Sequence, residues 1–240
     1  MAASEGGHDV VGGKRAGNSH MSIARTPARF ITFEGGEGSG KSTQSALLCE
    51  RLKADGIDVV ATREPGGSPF AEQVREFILG GETAPHPPIA EALLFYAARA
   101  DHLARTIRPA LAAGRWVVCD RFSDSTRVYQ GTAGGVALQD IDALEAIIVA
   151  PTRPDLTFIL DVPAAVGLAR TRTRAAAADA RTDPYEARDL AYHEHLREGF
   201  LAIARAEPER CVVLDGRLEI SAAAERIWRV IEERFGGQAR

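Results

Sequence analysis

The residues best suited to chemistry lie in one short stretch, FITFEGGEGSGKSTQ, from Phe30 to Gln44. It contains GxxxxGK[ST] from Gly35 to Ser42, a pattern whose glycines let successive backbone N–H groups turn toward a phosphate. Lys41 would reach the outer phosphates of a nucleoside triphosphate, and the Ser42 hydroxyl would bind Mg²⁺. An apolar strand pattern precedes the motif and a helical pattern follows it, which is the context that a phosphate-binding loop requires. We therefore predict a nucleoside triphosphate as one ligand.

The loop alone leaves the reaction open, because switch GTPases, motor ATPases and small-molecule kinases all carry it. The chain has no NKxD pattern to select guanine. A motor ATPase usually has an apolar strand ending in two acidic residues, whereas WVVCD at 116–120 is followed by Arg121. These features favour a kinase.

A second group of polar residues could bind a nucleoside monophosphate as acceptor. Phe95 and Arg99 lie four residues apart, hence on one helix face, and could supply a stacking platform and a donor to a base carbonyl. Asp120 ends a strand pattern, where it would orient Mg²⁺ through water. Arginines bind phosphates with two parallel hydrogen bonds, and the candidates are Arg63, Arg75 and Arg121. No general base is needed, because a phosphate monoester with a second pKa near ~6 is already an oxyanion at neutral pH.

The elements that must position these residues alternate along the chain. Five short apolar runs predict strands at 30–34, 58–62, 116–120, 156–162 and 211–215. Helical periodicity is present at 41–54, 69–79, 89–113, 138–150, 164–173, 185–206 and 219–235. This alternation predicts an α/β fold, with a five-stranded parallel sheet covered by helices on both faces. Ligands of such sheets bind at the carboxyl ends of the strands, where the polar residues cluster.

Composition limits the function classes further. The 240 residues contain 29 basic and 33 acidic side chains, and the net charge of −4 gives no basic field for nucleic acid or anionic membrane. No apolar run approaches the ~20 residues needed to cross a bilayer. The cysteines are Cys49, Cys119 and Cys211, whose wide spacing predicts reduced core residues. We expect a cytoplasmic protein.

The chain divides into a lead and one domain. Residues 1–28 are rich in Gly, Ala and Ser and are expected to be a disordered N-terminal extension or an artificially appended leader. Residues 29–237 are predicted to form a single kinase domain. An Ala-rich segment suggests a mobile lid at about 172–186.

Several motifs together resemble the bacterial thymidylate kinase family. They are FEGGEGSGKST, TREPGG, LLFYAAR, DRFSDST with the following YQG, and PDLTFILDV, and the similarity runs from about Arg29 to Phe235. The resemblance implies the P-loop nucleoside monophosphate kinase fold with a lid. It also implies Mg²⁺-dependent transfer of the γ-phosphoryl group of ATP to dTMP, which gives dTDP and ADP, by a homodimer. The alternatives left open are a P-loop kinase of the same fold with another acceptor and a non-catalytic nucleotide-binding switch.

The resemblance also implies roles for individual residues. Lys41, Arg121, Asp120 and Glu37 would be catalytic, and Ser42 and Asp120 would serve the metal. Contacts to dTMP would come from Glu37, Arg63, Arg75, Phe95, Arg99, Arg121, Ser125, Thr126, Tyr129 and Gln130. Contacts to ATP would come from Gly35, Gly36, Glu37, Gly38, Ser39, Gly40, Lys41, Ser42, Thr43, Arg170, Arg174 and Arg181. The sequence departs from the family at Pro184, where relatives usually have a lid arginine, so Arg172, Arg174 or Arg181 would have to substitute.

Overall fold

The structure, a computed structural model, describes residues 1, 27–80, 86–178 and 185–236. Its centre is a five-stranded sheet in the order β2-β3-β1-β4-β5, and every strand pair is parallel. The strands are β1 (Phe30–Glu34), β2 (Val59–Arg63), β3 (Trp116–Asp120), β4 (Leu156–Asp161) and β5 (Cys211–Asp215). The predicted parallel sheet is confirmed, with strand ends displaced by one residue at most.

Helices connect the strands and cover both faces of the sheet. Before β3 they are α1 (Lys41–Ala54), α2 (Pro69–Leu79), α3 (Pro88–His102), a π-helical turn (Leu103–Ile107) and α4 (Arg108–Ala112). After β3 come α5 (Ser123–Thr126), a second π-helical turn (Arg127–Thr132), α6 (Leu138–Ile148), α7 (Ala164–Ala178), α8 (Leu190–Ala206) and α9 (Ile220–Phe235).

Alternate side chains of each strand enter different cores, because successive residues of a strand point to opposite faces. On one face Ile31 and Phe33 pack with residues of α1 and α9, among them Leu52 and Ile231. On the other face Phe30 belongs to the cluster formed with α3 and α6. The three central strands, β1, β3 and β4, are therefore buried on both sides, which explains their nearly continuous apolar sequences, whereas the edge strands β2 and β5 are only partly buried.

Three helix predictions need correction. The predicted helix 89–113 is a single helical run, but the π turn at Leu103–Ile107 interrupts its α-helical hydrogen bonding. The helix predicted to end at residue 173 continues to Ala178, so the predicted lid begins inside α7. The helix predicted to start at residue 185 starts at Leu190, because Asp189 caps it by accepting a hydrogen bond from the backbone N–H of Tyr192 at 2.8 Å.

Other predictions have mixed outcomes. The three cysteines are buried and unpaired as predicted. Within the described ranges, no helix is long and apolar enough to cross a membrane. The predicted lead falls almost wholly on residues 2–26, outside the described chain, and the division into lead, single domain and lid stays a prediction.

Candidate active site

The phosphate-binding loop connects β1 to the first turn of α1. Gly38 adopts a positive φ of 64°, and a Cβ atom built there would lie 2.1 Å from the carbonyl oxygen of Gly167. Only glycine tolerates both that backbone conformation and that close approach. The loop is consequently packed tightly against the start of α7.

Lys41 is buried at the start of α1, inside the curve of the loop. Its Nζ donates to the carbonyl oxygens of Gly35 at 3.0 Å and Gly36 at 2.7 Å, and to Ser39 Oγ at 3.2 Å. Burial and the nearby Arg121 guanidinium lower the pKa of Lys41 to about 8. The ammonium therefore stays mainly protonated at pH 7 and is placed to bind an anion.

Ser42 and Asp120 form a pair suited to a hard cation. Ser42 Oγ donates a short hydrogen bond to one carboxylate oxygen of Asp120. The other oxygen, Oδ1, is buried and lacks a hydrogen-bond partner among the described residues. Mg²⁺ prefers such oxygen ligands and is usually held by one or two protein groups together with substrate phosphates. The described residues contain no cluster of three or more His, Cys, Asp or Glu able to hold a metal.

A cavity of about 300 Å³ joins the loop to the predicted acceptor residues. On the loop side it is lined by residues 37–43. On the other side it is lined by Arg63, Arg75, Phe95, Arg99, Asp120, Arg121, Ser125, Thr126, Tyr129 and Gln130. The structure thus brings all ten residues predicted to contact dTMP to the same cavity as Lys41.

Arg99 lies at one end of this cavity, with only 2% of its surface exposed. Its Nε donates to Glu64 at 2.8 Å, and its Nη2 donates to the Phe122 carbonyl at 3.2 Å and to Thr126 Oγ at 3.1 Å. Its Nη1 is buried without a partner in the described part of the chain. Phe95, one helical turn away, is half-buried and lines the same end. This end can stack an aromatic ring and donate a hydrogen bond to it.

Gln130 and Tyr129 come from the second π turn. Gln130 Nε2 donates to Glu91 at 3.1 Å and to the Tyr185 hydroxyl at 3.3 Å. Tyr185 also donates to Glu91 at 2.7 Å, and its ring packs edge-on against that of Tyr129. π-helical turns occur frequently at functional sites. Here the turn directs both side chains toward the cavity.

Arg121 lies between the acceptor side and the loop. It follows β3 directly with a φ of 67°, which is unusual for a residue with a side chain. Its Nη2 donates to Glu37 at 2.7 Å and to the Tyr129 hydroxyl at 3.1 Å. Its Nη1 donates to the Gly35 carbonyl and to Ser125 Oγ, both at 3.2 Å. The strained backbone therefore holds a guanidinium group against the phosphate-binding loop.

The carboxylate of Glu37 is held in its ionised form. Burial alone would raise the pKa of Glu37, but the Arg121 guanidinium and the Lys41 ammonium lower it to about 2. The Tyr129 hydroxyl donates to the same carboxylate oxygen at 2.6 Å. Burial raises the pKa of Tyr129 well above its ordinary value, so this phenol remains a hydrogen-bond donor. The site contains a fixed anion beside two cations.

Comparison with known proteins identifies the family. A family model described as thymidylate kinase matches residues 33–227. This is well over half of the 240 residues. The chain belongs to the thymidylate kinase family.

Individual relatives agree with this result. A thymidylate kinase from Caulobacter vibrioides is 52% identical over 211 residues, which cover 88% of this chain and 99% of the relative. One from Nitrobacter winogradskyi is 50% identical over 206 residues, covering 86% and 89%. A solved thymidylate kinase from Ehrlichia chaffeensis is 34% identical, with a TM-score of 0.68, over 85% of this chain and 99% of that one. The predicted family, fold class and enzyme class are confirmed.

Two arginines predicted to bind the acceptor phosphate line the cavity. Arg63 is half-exposed, and its Nη2 lies 3.0 Å from Glu72. Arg75 donates from Nη1 to the Pro65 carbonyl at 2.8 Å. Both therefore line the cavity while contacting other protein groups, and their role toward dTMP stays a prediction.

Of the three arginines predicted to contact ATP, two lie in the described part of the chain. Arg170 donates from Nη1 to the carbonyls of Gly38 at 3.3 Å and Gly216 at 2.8 Å, beside the phosphate-binding loop. Arg174 lines the cavity and lies 3.5 Å from Glu186. Arg181 and Pro184 lie outside the described residues.

Three residues that shape the site have no role predicted from the sequence. Glu34 ends β1 and is fully buried; it accepts from the backbone N–H of Phe122 at 2.7 Å and from Ser125 Oγ at 2.6 Å. Glu64 binds Arg99, and Tyr185 binds Gln130. Glu34 and Glu64 each lie at the carboxyl end of a strand pattern, and this position could have indicated that they belong to the site. Nothing in the sequence around Tyr185 indicates its contacts.

Proposed function

We propose that this chain transfers the γ-phosphoryl group of ATP to dTMP, giving dTDP and ADP, within the cavity between the phosphate-binding loop and the residue 95–130 segment. The observation that carries the proposal is that a single cavity is lined both by Lys41 and by the buried guanidinium of Arg99. A nucleotide-binding switch has no use for a second aromatic and cationic site opposite its loop. A nucleoside monophosphate kinase requires one.

On the donor side, the loop binds the phosphates of ATP through the backbone N–H groups of residues 35–40 and the N-terminus of α1. Lys41 binds the outer phosphates. Gly40, Ser42 and Thr43 complete the loop contacts, and Arg170 packs near the adenine. Arg174 and Arg181 are assigned to the phosphates from the lid. The assignment of Arg174 is supported by its position in the lining of the cavity.

The metal is Mg²⁺, held by Ser42 and, through water, by Asp120. The buried and unpartnered Oδ1 of Asp120 supports this assignment, because leaving a carboxylate oxygen unsatisfied is costly unless a ligand completes it. When bound, Mg²⁺ supplies positive charge to the transferring phosphates. The protein groups align the reactants around it.

On the acceptor side, Phe95 stacks on thymine and Arg99 donates from Nη1 to a ring carbonyl. Gln130 and Thr126 complete the pocket of the base and sugar. Tyr129 and Glu37 lie near the sugar, where the Tyr129 ring restricts space beside the deoxyribose. Support comes from the positions of these side chains along the cavity wall.

The acceptor phosphate is assigned to Arg121, with Ser125, Arg63 and Arg75 around it. Arg121 supports this role because its guanidinium is held between Glu37 and the loop, at the junction of the two halves of the cavity. The phosphate needs no general base, since it is already ionised at neutral pH. Catalysis then consists of alignment and neutralisation of charge on the transferring group, with water excluded by lid closure.

We further propose a cytoplasmic homodimer that binds neither nucleic acid nor membrane. The net charge of −4 supports the absence of both partners. Four large apolar side chains are exposed on α2 and α3, which pack against each other: Phe70, Phe77, Ile89 and Leu93. Large apolar side chains exposed on two neighbouring helices are typical of an interface between protein subunits. We assign residues 29–237 to one domain, with the lid at about 172–186 and residues 1–28 as an extension.

Ligand-dependent melting tests the acceptor site directly. We expect dTMP alone to raise the Tm in the absence of ATP, because a ligand that binds only the folded state stabilises it. In Arg99→Leu this shift should largely disappear, while the shift caused by ATP with Mg²⁺ persists. No Tm shift with millimolar dTMP, together with a shift for ATP, would contradict a preformed acceptor site.

A further inference from the structure

A buried chain of polar groups lies behind Arg99. Glu64 follows β2 directly, and its side chain is 4% exposed. Its Oε2 accepts from Arg99 Nε at 2.8 Å, and its Oε1 lies 3.0 Å from His102 Nδ1. His102 is fully buried at the end of α3, and its Nε2 lies 2.7 Å from Thr62 Oγ. The chain Thr62–His102–Glu64–Arg99 therefore runs from β2 to the cavity.

The hydrogen-bond partners in this chain constrain where one of its protons lies. An ionised Glu64 can only accept, so it requires the proton of His102 on Nδ1. The other ring nitrogen, Nε2, lies within hydrogen-bond distance of the Thr62 hydroxyl, which can either donate or accept. Each group therefore has a hydrogen-bond partner in the next. Burial alone would disfavour the charged form of Arg99, but the negative charge of Glu64 stabilises it, and the two buried charges neutralise each other.

The loop after β2 is shaped to hold this chain. Gly67 has a φ of 82°, and a Cβ atom there would lie 2.3 Å from His102 Nε2 and 2.5 Å from Thr62 Oγ. The Gly67 carbonyl accepts from Thr106 Oγ at 2.7 Å, which ties the loop to the π turn after α3. Any side chain at this position would displace the histidine. Two residues of the TREPGG segment therefore produce this contact: Thr62 forms the hydrogen bond with His102, and Gly67 leaves the space for it.

The chain determines which donor of Arg99 remains unused. Glu64 occupies Nε, and Phe122 and Thr126 occupy Nη2. The rings of Tyr96 and Phe122 lie against the guanidinium at 4.8 and 5.3 Å. Hydrogen bonds at Nε and Nη2 and the two aromatic rings therefore hold the plane of the Arg99 guanidinium in one orientation. In this orientation Nη1 is the donor that has no partner within the described residues.

We propose that Glu64 and His102 are positioning residues for the acceptor base, an inference that rests on the proposed function. They hold the Arg99 guanidinium in the one orientation that directs Nη1 toward a ring carbonyl. Neither residue contacts the reacting phosphates. Loss of the chain lets the guanidinium turn, so the enzyme loses affinity for a carbonyl-bearing base and part of its preference over a base with an amino group at that position.

Two substitutions of His102 by amide residues distinguish a role in positioning Arg99 from a role in packing alone. The amide nitrogen of asparagine can replace Nδ1–H and still donate to Glu64, whereas that of glutamine replaces Nε2 and reaches only Thr62. We expect His102→Asn to keep kcat/KM for dTMP within about threefold of the wild type. We expect His102→Gln to raise KM for dTMP about tenfold, with kcat and the KM for ATP nearly unchanged.

A base analogue gives a readout that a purely structural role would not move. The ratio of kcat/KM for dTMP to that for 5-methyl-dCMP, which carries an amino group in place of the carbonyl, should fall about tenfold in His102→Gln and stay unchanged in His102→Asn. Glu64→Gln keeps the shape of the side chain but removes its negative charge, so the hydrogen bond that holds Arg99 Nε is weaker, and both the KM for dTMP and this ratio should shift in the same direction as in His102→Gln. The exposed His195, replaced by glutamine, serves as the control.

The possible results separate the two claims. A wild-type enzyme without dTMP turnover refutes the proposed function itself. A wild-type enzyme that phosphorylates dTMP, with His102→Gln and Glu64→Gln retaining both the KM for dTMP and the substrate ratio, overturns the positioning role. Equal losses in His102→Asn and His102→Gln, with an unchanged ratio, also overturn it, since they would reflect packing alone. If His102→Gln does not fold, Glu64→Gln decides by the same two criteria.

Discussion

Replacement of Arg121 tests the acceptor phosphate site most sharply. Its guanidinium donates to Glu37 at 2.7 Å and to Gly35 at 3.2 Å, so its two terminal nitrogens lie between the acceptor side and the loop. We propose that both nitrogens bind the phosphate of dTMP. Arg121→Lys keeps the charge but loses the fork of parallel donors, and Arg121→Ala loses both.

The expected losses follow from the number of hydrogen bonds removed. A hydrogen bond to a charged group contributes roughly 1.5–3 kcal/mol. Losing one of two should lower kcat/KM for dTMP about 10- to 200-fold in Arg121→Lys, since ~1.4 kcal/mol corresponds to tenfold. Losing both should cost about 10²- to 10⁴-fold in Arg121→Ala. In that variant the pKa of Glu37 should also rise from about 2, because the guanidinium that lowers it is gone.

The assay is an initial-rate measurement of ADP formation with dTMP varied at saturating ATP, alongside a direct titration of ATP binding. ATP affinity should change by less than about threefold. Arg127→Lys is a matched control: Arg127 pairs with Asp142 at 3.1 Å and does not line the cavity, so its kcat/KM should match the wild type. Arg121→Ala with kcat/KM within threefold of the wild type would refute the phosphate assignment.

Three further predictions concern stability, metal and assembly. Burial raises the pKa of Glu34 to about 7, so the folded state binds a proton that the unfolded state releases between pH 4.5 and 7. The free energy of unfolding of the wild type, relative to Glu34→Gln, should therefore fall as pH rises through that window, by at most about 3 kcal/mol, in urea titrations; a constant difference would count against it. Asp120→Asn should raise the Mg²⁺ concentration for half-maximal rate at least about tenfold, and an unchanged Mg²⁺ titration would remove Asp120 from the metal site. Phe70→Asp with Phe77→Asp should convert a dimer to a monomer in light scattering, because burying the added charges is costly; a persisting dimer would place the interface elsewhere.

The sheet and the phosphate-binding loop could be predicted because their signals are local. Strands such as Phe30–Glu34 are buried on both faces, and their residues must be apolar nearly throughout. The loop needs its glycines and lysine at fixed spacing. Both patterns are visible without knowledge of any partner element.

The helical segment at residues 123–132 could not be predicted in the same way. Its first turn, Ser123–Thr126, consists of residues that usually favour caps and turns, and the π turn after it has no periodicity of its own. It is held by distant groups, since Glu34 accepts from the backbone of Phe122 and from Ser125, and Val128 is buried against α8. Tertiary contacts override local preference here.

The residues of the candidate site could be proposed from the sequence, whereas their contacts could not. Every predicted dTMP ligand lines the cavity. What the sequence could not show is which carboxylate faces which arginine, because the pairs Glu64 with Arg99 and Glu37 with Arg121 join residues 35 and 84 positions apart. Such pairing depends on the folded backbone rather than on spacing along the chain.

The most direct measurement is the formation of ADP by the purified chain with ATP and Mg²⁺, compared across nucleoside monophosphates. We predict ADP formation that depends on dTMP and negligible rates with AMP, GMP and CMP. We expect a slower but measurable rate with dUMP, since one methyl group contributes only ~1–3 kcal/mol. Turnover with AMP, GMP or CMP but not with dTMP would contradict it.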